Sequence, residues 1–259
     1  MKIKLTHQRP TTRDLSIMVD LLRASTTITV ALDKFKKIIP AESVSEALKL
    51  SRETGGLLAG ERGGETINGF IGNSPIQIRD YAGETLILTT SNGTKILKSL
   101  KSKALIGSLI NARAVASAAV ELADHEIEII MAGVNGRFAI EDFLAAGEII
   151  YYLRDHELEE FAKAALMATN DRKMVDDAIL NSESALKLKK LGFIKDVEFS
   201  IQRNISQNVP IYDGELIKKK YKTKLVMVHG KRTPKNNRNS TCIKKEHRRS
   251  ERDYTHRKT

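Results

Sequence analysis

The chain has almost none of the features that mark secreted, membrane-bound or thiol-dependent proteins. It carries one cysteine, Cys242, so a disulfide framework is excluded and a reducing compartment is expected. No apolar run is long enough to span a bilayer. The opening MKIKLTHQRP lacks the apolar core of a signal peptide, so a cytoplasmic location is expected.

Familiar catalytic signatures are missing too. There is no Walker A sequence and no GxGxxG. No cluster of His and Cys suggests zinc. His7, His125, His156, His229, His247 and His256 all lie outside the polar segments described below, which argues against histidine-based catalysis. His229-Gly230 lacks the preceding arginine of histidine phosphatases. Asp20 lacks the second aspartate of the haloacid dehalogenase pattern, because Leu22 stands two residues on. Cys242 and Arg248 have the Cys-x5-Arg spacing of cysteine-dependent phosphatases, but the residues between them offer neither glycine nor a strand-to-helix turn.

Excess charge is missing from most of the chain as well. The formal net charge is +11, yet residues 218–259 alone hold 16 basic and 3 acidic residues. Residues 1–217 hold 27 basic and 29 acidic residues, so this part has no global basic field for polyanions. The C-terminal stretch has too few apolar residues to offset its ordering entropy, and a disordered basic tail is expected there. Contact with nucleic acid is expected only through that tail, which lacks the aromatic interleaving and motifs of a specific binder. KLVMVHG (224–230) is where the tail could add a strand to a sheet edge.

What remains is a chain able to build a core. Hydrophobic residues make up 41% of it, enough to do so without disulfides. Short apolar runs alternate with helical patterns. LSIMV (15–19), KKII (36–39), GLLA (56–59), TLIL (85–88), ALIG (104–107) and IEIIM (127–131) read as strands. Val44, Ala47, Leu48 and Ser51 share one helical face. So do Ala112, Val115, Ala116, Ala119, Val120 and Ala123, and again Ile140, Phe143, Leu144, Gly147 and Ile150. Residues 155–191 are mainly helical, and VEFSI (197–201) reads as a late strand. The alternation predicts an α/β fold: a mostly parallel sheet sandwiched by helices in three layers, with residues 1–217 as one domain or two subdomains.

In such sheets ligands bind beyond the carboxyl ends of the strands, and there the sequence is polar. Asp20 follows the first run, with Arg23, Ser25, Thr26 and Thr27 close behind. Asp20 suits a metal site, and equally the cap of the next helix. Arg23 suits two-pronged contact with phosphate, or an ordinary ion pair. The third run leads into GERGGETINGFIGNSP, where Gly60, Gly63, Gly64, Gly69 and Gly72 give backbone freedom. Phe70 and Ile71 should pack and fix this loop, and Ser74-Pro75 reads as a cap and first helical turn. Within it Glu61 is a candidate metal ligand, and Arg62 and Asn73 are candidate substrate contacts. TTSNGT (89–94) supplies Thr90, Asn92, Gly93 and Thr94, as an anion-binding turn or a plain one. AGVNGRFAIED supplies Arg137, Glu141 and Asp142. The macrodipole alone favours the two carboxylates in a first helical turn. Being adjacent, at most one should bind a metal directly.

VDLLRASTT, LLAGERGG, GFIGNSP, LTTSNGT and AGVNGRFAIED, in this order and at these separations, resemble the 2-phosphosulfolactate phosphatases. The resemblance runs from residue 1 to residue 214. It takes in Asp176-Asp177, residues 184–192, Asp196-Val197 and Val209-Pro210. It implies Mg2+-dependent hydrolysis of 2-phospho-3-sulfolactate to 3-sulfolactate and phosphate, which in methanogens serves coenzyme M biosynthesis. Other small phosphorylated 2-hydroxy acids are implied as related substrates. The chain departs from the family where cysteine is common, with Met131-Ala132 and Ala145-Ala146 in those places, which favours metal over thiol chemistry.

On this reading Mg2+ is held by Asp20, Glu61 and Asp142 or Glu141. Arg23, Arg62, Asn92 and the amides near Gly93 hold phosphoryl oxygens. Ser25, Asn73 and Arg137 meet the carboxylate and sulfonate, with Thr26, Thr90 and Thr94 as further substrate contacts. Catalysis rests on Asp20, Arg23, Glu61 and Asp142, by direct water attack or through a phosphoenzyme on Asp20 or Ser25. A homo-oligomer is compatible with it. The competing readings are a catalytically impaired anion-binding protein of the same fold, and a nucleic-acid binder acting through the tail.

Overall fold

The structure is a computed structural model that describes residues 1–220. The first half runs β1 (Lys2–His7), β2 (Leu15–Val19), α1 (Ala24–Ala31), β3 (Phe35–Ala41), α2 (Val44–Thr54), β4 (Leu57–Arg62), β5 (Glu65–Thr66), β6 (Gly83–Thr89), α3 (Gly93–Ser99) and β7 (Lys103–Gly107). It continues as α4 (Ala112–Leu122), β8 (Glu126–Met131), α5 (Ile140–Tyr151), β9 (Glu157–Leu158), α6 (Glu160–Ala168), α7 (Arg172–Leu180), α8 (Glu183–Lys190), α9 (Ile194–Ser200), β10 (Pro210–Tyr212) and β11 (Ile217–Lys219). All six strands expected from the apolar runs are present as β2, β3, β4, β6, β7 and β8.

The strands form one mixed sheet in the order β5-β4-β6-β3-β11-β10-β7-β2-β8-β1-β9. Two parallel blocks stand side by side. One is β4-β6-β3; the other is β7-β2-β8-β1-β9. The antiparallel hairpin β10-β11 joins them, with Ile217 opposite Ile38 of β3 and Ile211 opposite Leu105 of β7. Every residue of β2 is buried, as befits a central parallel strand covered on both faces.

The strand period of two sorts the core onto two faces. Ile17, Val19, Leu105, Ile127, Ile129 and Met131 meet apolar residues of α4, α5, α6 and α7. Met18, Ile106 and Ile130 point the other way and pack with residues of α1 and α3. Three layers result, as the sequence predicts. Local chemistry fixes the helix ends. Ser43 accepts the Glu46 amide at the start of α2, which stops where Gly55 turns left-handed at φ 67°. Asp171 and Ser182 cap α7 and α8 in the same way.

One expected element needs correction, and two features go beyond what was expected. VEFSI is not a strand: residues 194–200 form α9, and Asp196, Val197, Phe199 and Ser200 are its buried face. That spacing is helical, and the β-branched and aromatic content masked it. The N-terminal segment is a strand, β1, whose Ile3 and Leu5 are buried while Lys2 and Lys4 point away. The sheet also runs past residue 217. Lys218 and Lys219 complete β11, and the Lys220 amide donates to the Val209 carbonyl. The expected disordered tail beyond that point, the edge strand at 224–230 and the Cys242–Arg248 spacing lie outside the described residues. No described helix is long and apolar enough to cross a membrane.

The hairpin makes the position of a truncation decisive. Ile217 is fully buried between the two blocks. A chain ending at Lys220 should keep its urea midpoint. A chain ending at Leu216 should lose about 2–5 kcal/mol, the cost of deleting a buried Ile side chain, with the ladder bonds of β11 in addition.

Candidate active site

The corner after β2 is built by its own backbone. The Asp20 amide donates to Ser25 Oγ at 2.9 Å, and the Ser25 amide returns to the Asp20 carbonyl at 2.9 Å. The Ala24 amide lies 3.4 Å from Asp20 Oδ1, but the N-cap position of α1 is Arg23 and no side chain caps it, so Asp20 is not the helix cap. The same carboxylate is buried beside Glu61. Burial raises the Asp20 pKa to about 7, the negative charge of Glu61 adds to the rise, and the amides of Ala24 and Gly93 oppose it. No side chain fits at Gly93, since a Cβ there would sit 2.8 Å from Asp20 Oδ2.

Glu61 ties two loops together. Its Oε1 accepts the Ser91 amide at 2.7 Å, and its Oε2 accepts the Gly64 amide at 2.6 Å and Ser91 Oγ at 3.2 Å. The Gly63 amide donates to Ser91 Oγ at 3.0 Å. Gly63 and Gly64 have φ of 60° and 91°, the left-handed region that glycine enters without strain. Leu191 packs so closely on Gly64 that an added Cβ would meet it at 3.1 Å.

Arg23 is buried and already engaged. Nη1 donates to Asp196 at 3.0 Å, Nη2 donates to the Gly64 carbonyl at 2.7 Å, and the guanidinium lies 4.5 Å from the centre of the Phe193 ring. The other Asp196 oxygen accepts Ser74 Oγ at 2.6 Å. One arginine thus fastens α9 to the β2 corner and the glycine loop.

A cavity of about 120 Å³ opens among these groups. Of the residues singled out in the sequence, Asp20, Arg23, Glu61, Asn73 and Asn92 line it. Among the described residues the Asn73 side-chain oxygen is buried without a hydrogen-bond partner, so the cavity holds a polar atom that none of them satisfies. The Asn92 side-chain oxygen accepts the amide of Asn135, another lining residue. The loops after β2, β4, β6 and β8 therefore meet as expected. The loop after β7 does not join them: Ser108 is spent on Thr26 Oγ1 and on a capping box with Asn111.

The other candidates stand elsewhere. Ser25 and Thr26 are buried in contacts within the β2 corner. Thr90 and Thr94 bond reciprocally at the start of α3. Arg62 donates to the Glu61 carbonyl and to Thr89 Oγ1. The Arg137 side chain is 68% exposed and pairs with Glu183. Asp142 gives Oδ1 to the Leu21 amide and Oδ2 to the Gly133 amide, locking the β2 and β8 loops. Burial pushes its carboxyl up, with Asp20 and Glu141 adding negative charge. Glu141 is buried but does not line the cavity.

Sequence reasoning missed Asn135, Ser184 and Lys187, which also line the cavity, as does Ser91, one of the hydroxyls offered by the TTSNGT turn. Ser91 and Asn135 stood inside motifs already singled out. Ser184 and Lys187 come from α8, whose lysines read as ordinary last-turn charges.

Among the described residues no three His, Cys, Asp or Glu side chains converge as a ready metal-ligand set. Glu141 and Asp142 therefore do not complete a cage with Asp20 and Glu61. Two buried carboxylates of like charge beside a polar cavity do fit a hard cation that keeps waters and takes substrate oxygen, which is the habit of Mg2+.

The charge on Asp20 has a signature in stability. Its pKa is about 7 in the fold against 3.8 ordinarily, so the folded state binds the extra proton between those values. Stability should fall as pH rises through that window. In chelator, Asp20→Asn should melt above the parent at pH 8, with the gap closing by pH 5. A pH-independent gap would contradict the buried repulsion. Arg23 should act on the fold. Arg23→Met leaves Asp196 buried and unpaired and should cost about 3–5 kcal/mol in urea denaturation. Arg23→Lys should cost less but not nothing, because a lysine lacks the second prong.

Comparison with known proteins agrees with this geometry. A family model described as 2-phosphosulpholactate phosphatase matches residues 1–215. The chain is 58% identical over 217 residues to the 2-phosphosulfolactate phosphatase of Methanothermobacter thermautotrophicus, covering 83% of this chain and 95% of that one. It is 40% identical to the enzyme of that name from Methanocaldococcus jannaschii, over 82% of this chain and 92% of the relative. A probable 2-phosphosulfolactate phosphatase of Thermotoga petrophila is 36% identical, over 80% and 92%. The family model spans the β2 corner, the glycine loop and α8, and the chain belongs to the 2-phosphosulfolactate phosphatase family.

Proposed function

We propose that the chain hydrolyses 2-phospho-3-sulfolactate to 3-sulfolactate and phosphate with the help of Mg2+. Its relatives' names supply the substrate, and the paired carboxylates Asp20 and Glu61 facing an open polar cavity carry the metal part of the reading. Asp20 and Glu61 would hold the ion, which when bound would neutralise phosphoryl charge and activate a water.

The chain's own groups do the rest. Asp20 would stay ionised as a ligand, because a cation held by it and Glu61 would offset the burial and relieve the repulsion that raise its carboxyl. It is also the remaining candidate for a covalent phosphoenzyme, because Ser25 does not line the cavity. Asn73 lines the cavity, where its side-chain NH2 can donate to an ester oxygen and its unsatisfied oxygen can accept from a water or face a cation. Leu22, Val134 and Leu188 supply the apolar part of the wall and limit access of bulk water. Arg23 lines the cavity and contributes positive potential there, with two of its donors already used.

Phosphate release should stop in chelator and return with Mg2+. Asp20→Asn and Glu61→Gln should each lower kcat by at least about 100-fold, the scale of a lost electrostatic contact to the transition state. Full activity in chelator would remove the metal from the mechanism. Specific binding of the ester without release, with or without Mg2+, would favour the catalytically impaired anion-binding protein.

A further inference from the structure

The cavity has a second wall whose charge the reaction at Asp20 and Glu61 does not use. Ser184, Lys187 and Leu188 reach it from α8. Lys187 stands over the glycine loop, its Nζ 3.5 Å from where a Cβ of Gly63 would lie. The two cations that line the cavity are in opposite states. Arg23 spends donors on Asp196 and the Gly64 carbonyl, whereas Lys187 is exposed and makes no hydrogen bond or ion pair among the described residues.

The ordinary reading is that lysines in the last turn of α8 complement its dipole. Lys189 and Lys190 fit that reading, for neither lines the cavity. Lys187 differs by facing a space that also holds two carboxylates. A ligand drawn to the carboxylate side through a cation presents its phosphoryl group there. A further anion on the same small molecule would be repelled by Asp20 and Glu61 and must turn toward positive charge. Lys187 is the uncommitted cation on that side.

Resting on the reading of the site as a phosphatase, we propose that Lys187 is the specificity-determining residue that binds the anionic group of the substrate other than its phosphoryl group. That group is a carboxylate or sulfonate, and the ammonium selects phosphorylated acids over neutral-tailed phosphate esters. A charge-assisted contact of this kind is worth roughly 10- to 100-fold in affinity.

Three esters separate the possibilities: 2-phosphosulfolactate, 2-phospholactate and glycerol 2-phosphate, the last with no second anion. In the full chain, Lys187→Met keeps the aliphatic stem and removes the charge. It should lower kcat/KM about 10- to 100-fold for the acids, mostly through KM, and less than about threefold for glycerol 2-phosphate. Lys187→Arg should restore most of the loss, and Lys189→Met should change nothing. A loss on both acids assigns the carboxylate; a loss confined to the sulfonated ester assigns the sulfonate. Equal loss on all three esters, or none on the acids, overturns the proposal. If the parent chain hydrolyses no ester, the phosphatase reading fails, and calorimetric binding of the same esters still tests Lys187. Binding of the acids weakened about tenfold or more by Lys187→Met, with glycerol 2-phosphate unaffected, then supports it; equal binding overturns it.

Discussion

The buried pair between Arg23 and Asp196 governs the geometry of the site. The two residues are far apart in sequence, on the β2 corner and on α9. Neither charge could be buried alone without a penalty of several kcal/mol. Both are satisfied by more than each other: Ser74 donates to Asp196, and Arg23 donates to the Gly64 carbonyl and rests on Phe193. Four segments are thereby pinned to one point. Helix α8 comes with α9, against which it packs, and its cavity-facing residues are held over the glycine loop. Movement of any of these segments would strand a buried charge.

Beside this neutralised pair lies the opposite arrangement. Asp20, Glu61, Glu141 and Asp142 are all buried, and backbone amides on Asp20, Glu61 and Asp142 offset part of their mutual repulsion. The division of labour is visible in those amides. Asp142 has an amide on each oxygen and holds two loops at a fixed separation. Asp20 is the less committed carboxylate, with one amide at 3.4 Å and another from Gly93, and it faces the cavity. A fold that keeps negative charge in such a place gains when a cation arrives, and that gain is what a metal-assisted reaction can draw upon.

The layers were legible because β2, β6 and β8 are apolar on both faces and the helices between them keep their period. The site was legible only as loops. Asp20, Glu61, Asn73 and Asn92 meet as their positions after strands suggest. Thr26, Thr90 and Thr94 look equally suited in sequence, yet they close turns on themselves. Hydroxyl chemistry is the same in both roles, and only the direction of the side chain separates them. Arg23 was legible only as a choice between phosphate contact and an ion pair: its partner is 173 positions away, and no local pattern announces it. Lys187 carried no signal, because a helical lysine gains its meaning from whatever the helix is folded against. The strand at VEFSI failed on a conflict between residue type and spacing, and the spacing won.

The hairpin β10-β11 has a consequence for the order in which the molecule is made. The two parallel blocks have no strand-to-strand ladder between them except through this hairpin. During synthesis every other described strand leaves the ribosome first. Until residues 210–219 emerge, β3 and β7 each present an unpaired edge, the kind of surface that captures strands from neighbouring chains. The completed sheet is thus a late event, and a nascent chain stalled just before Pro210 would carry two open edges instead of a closed core.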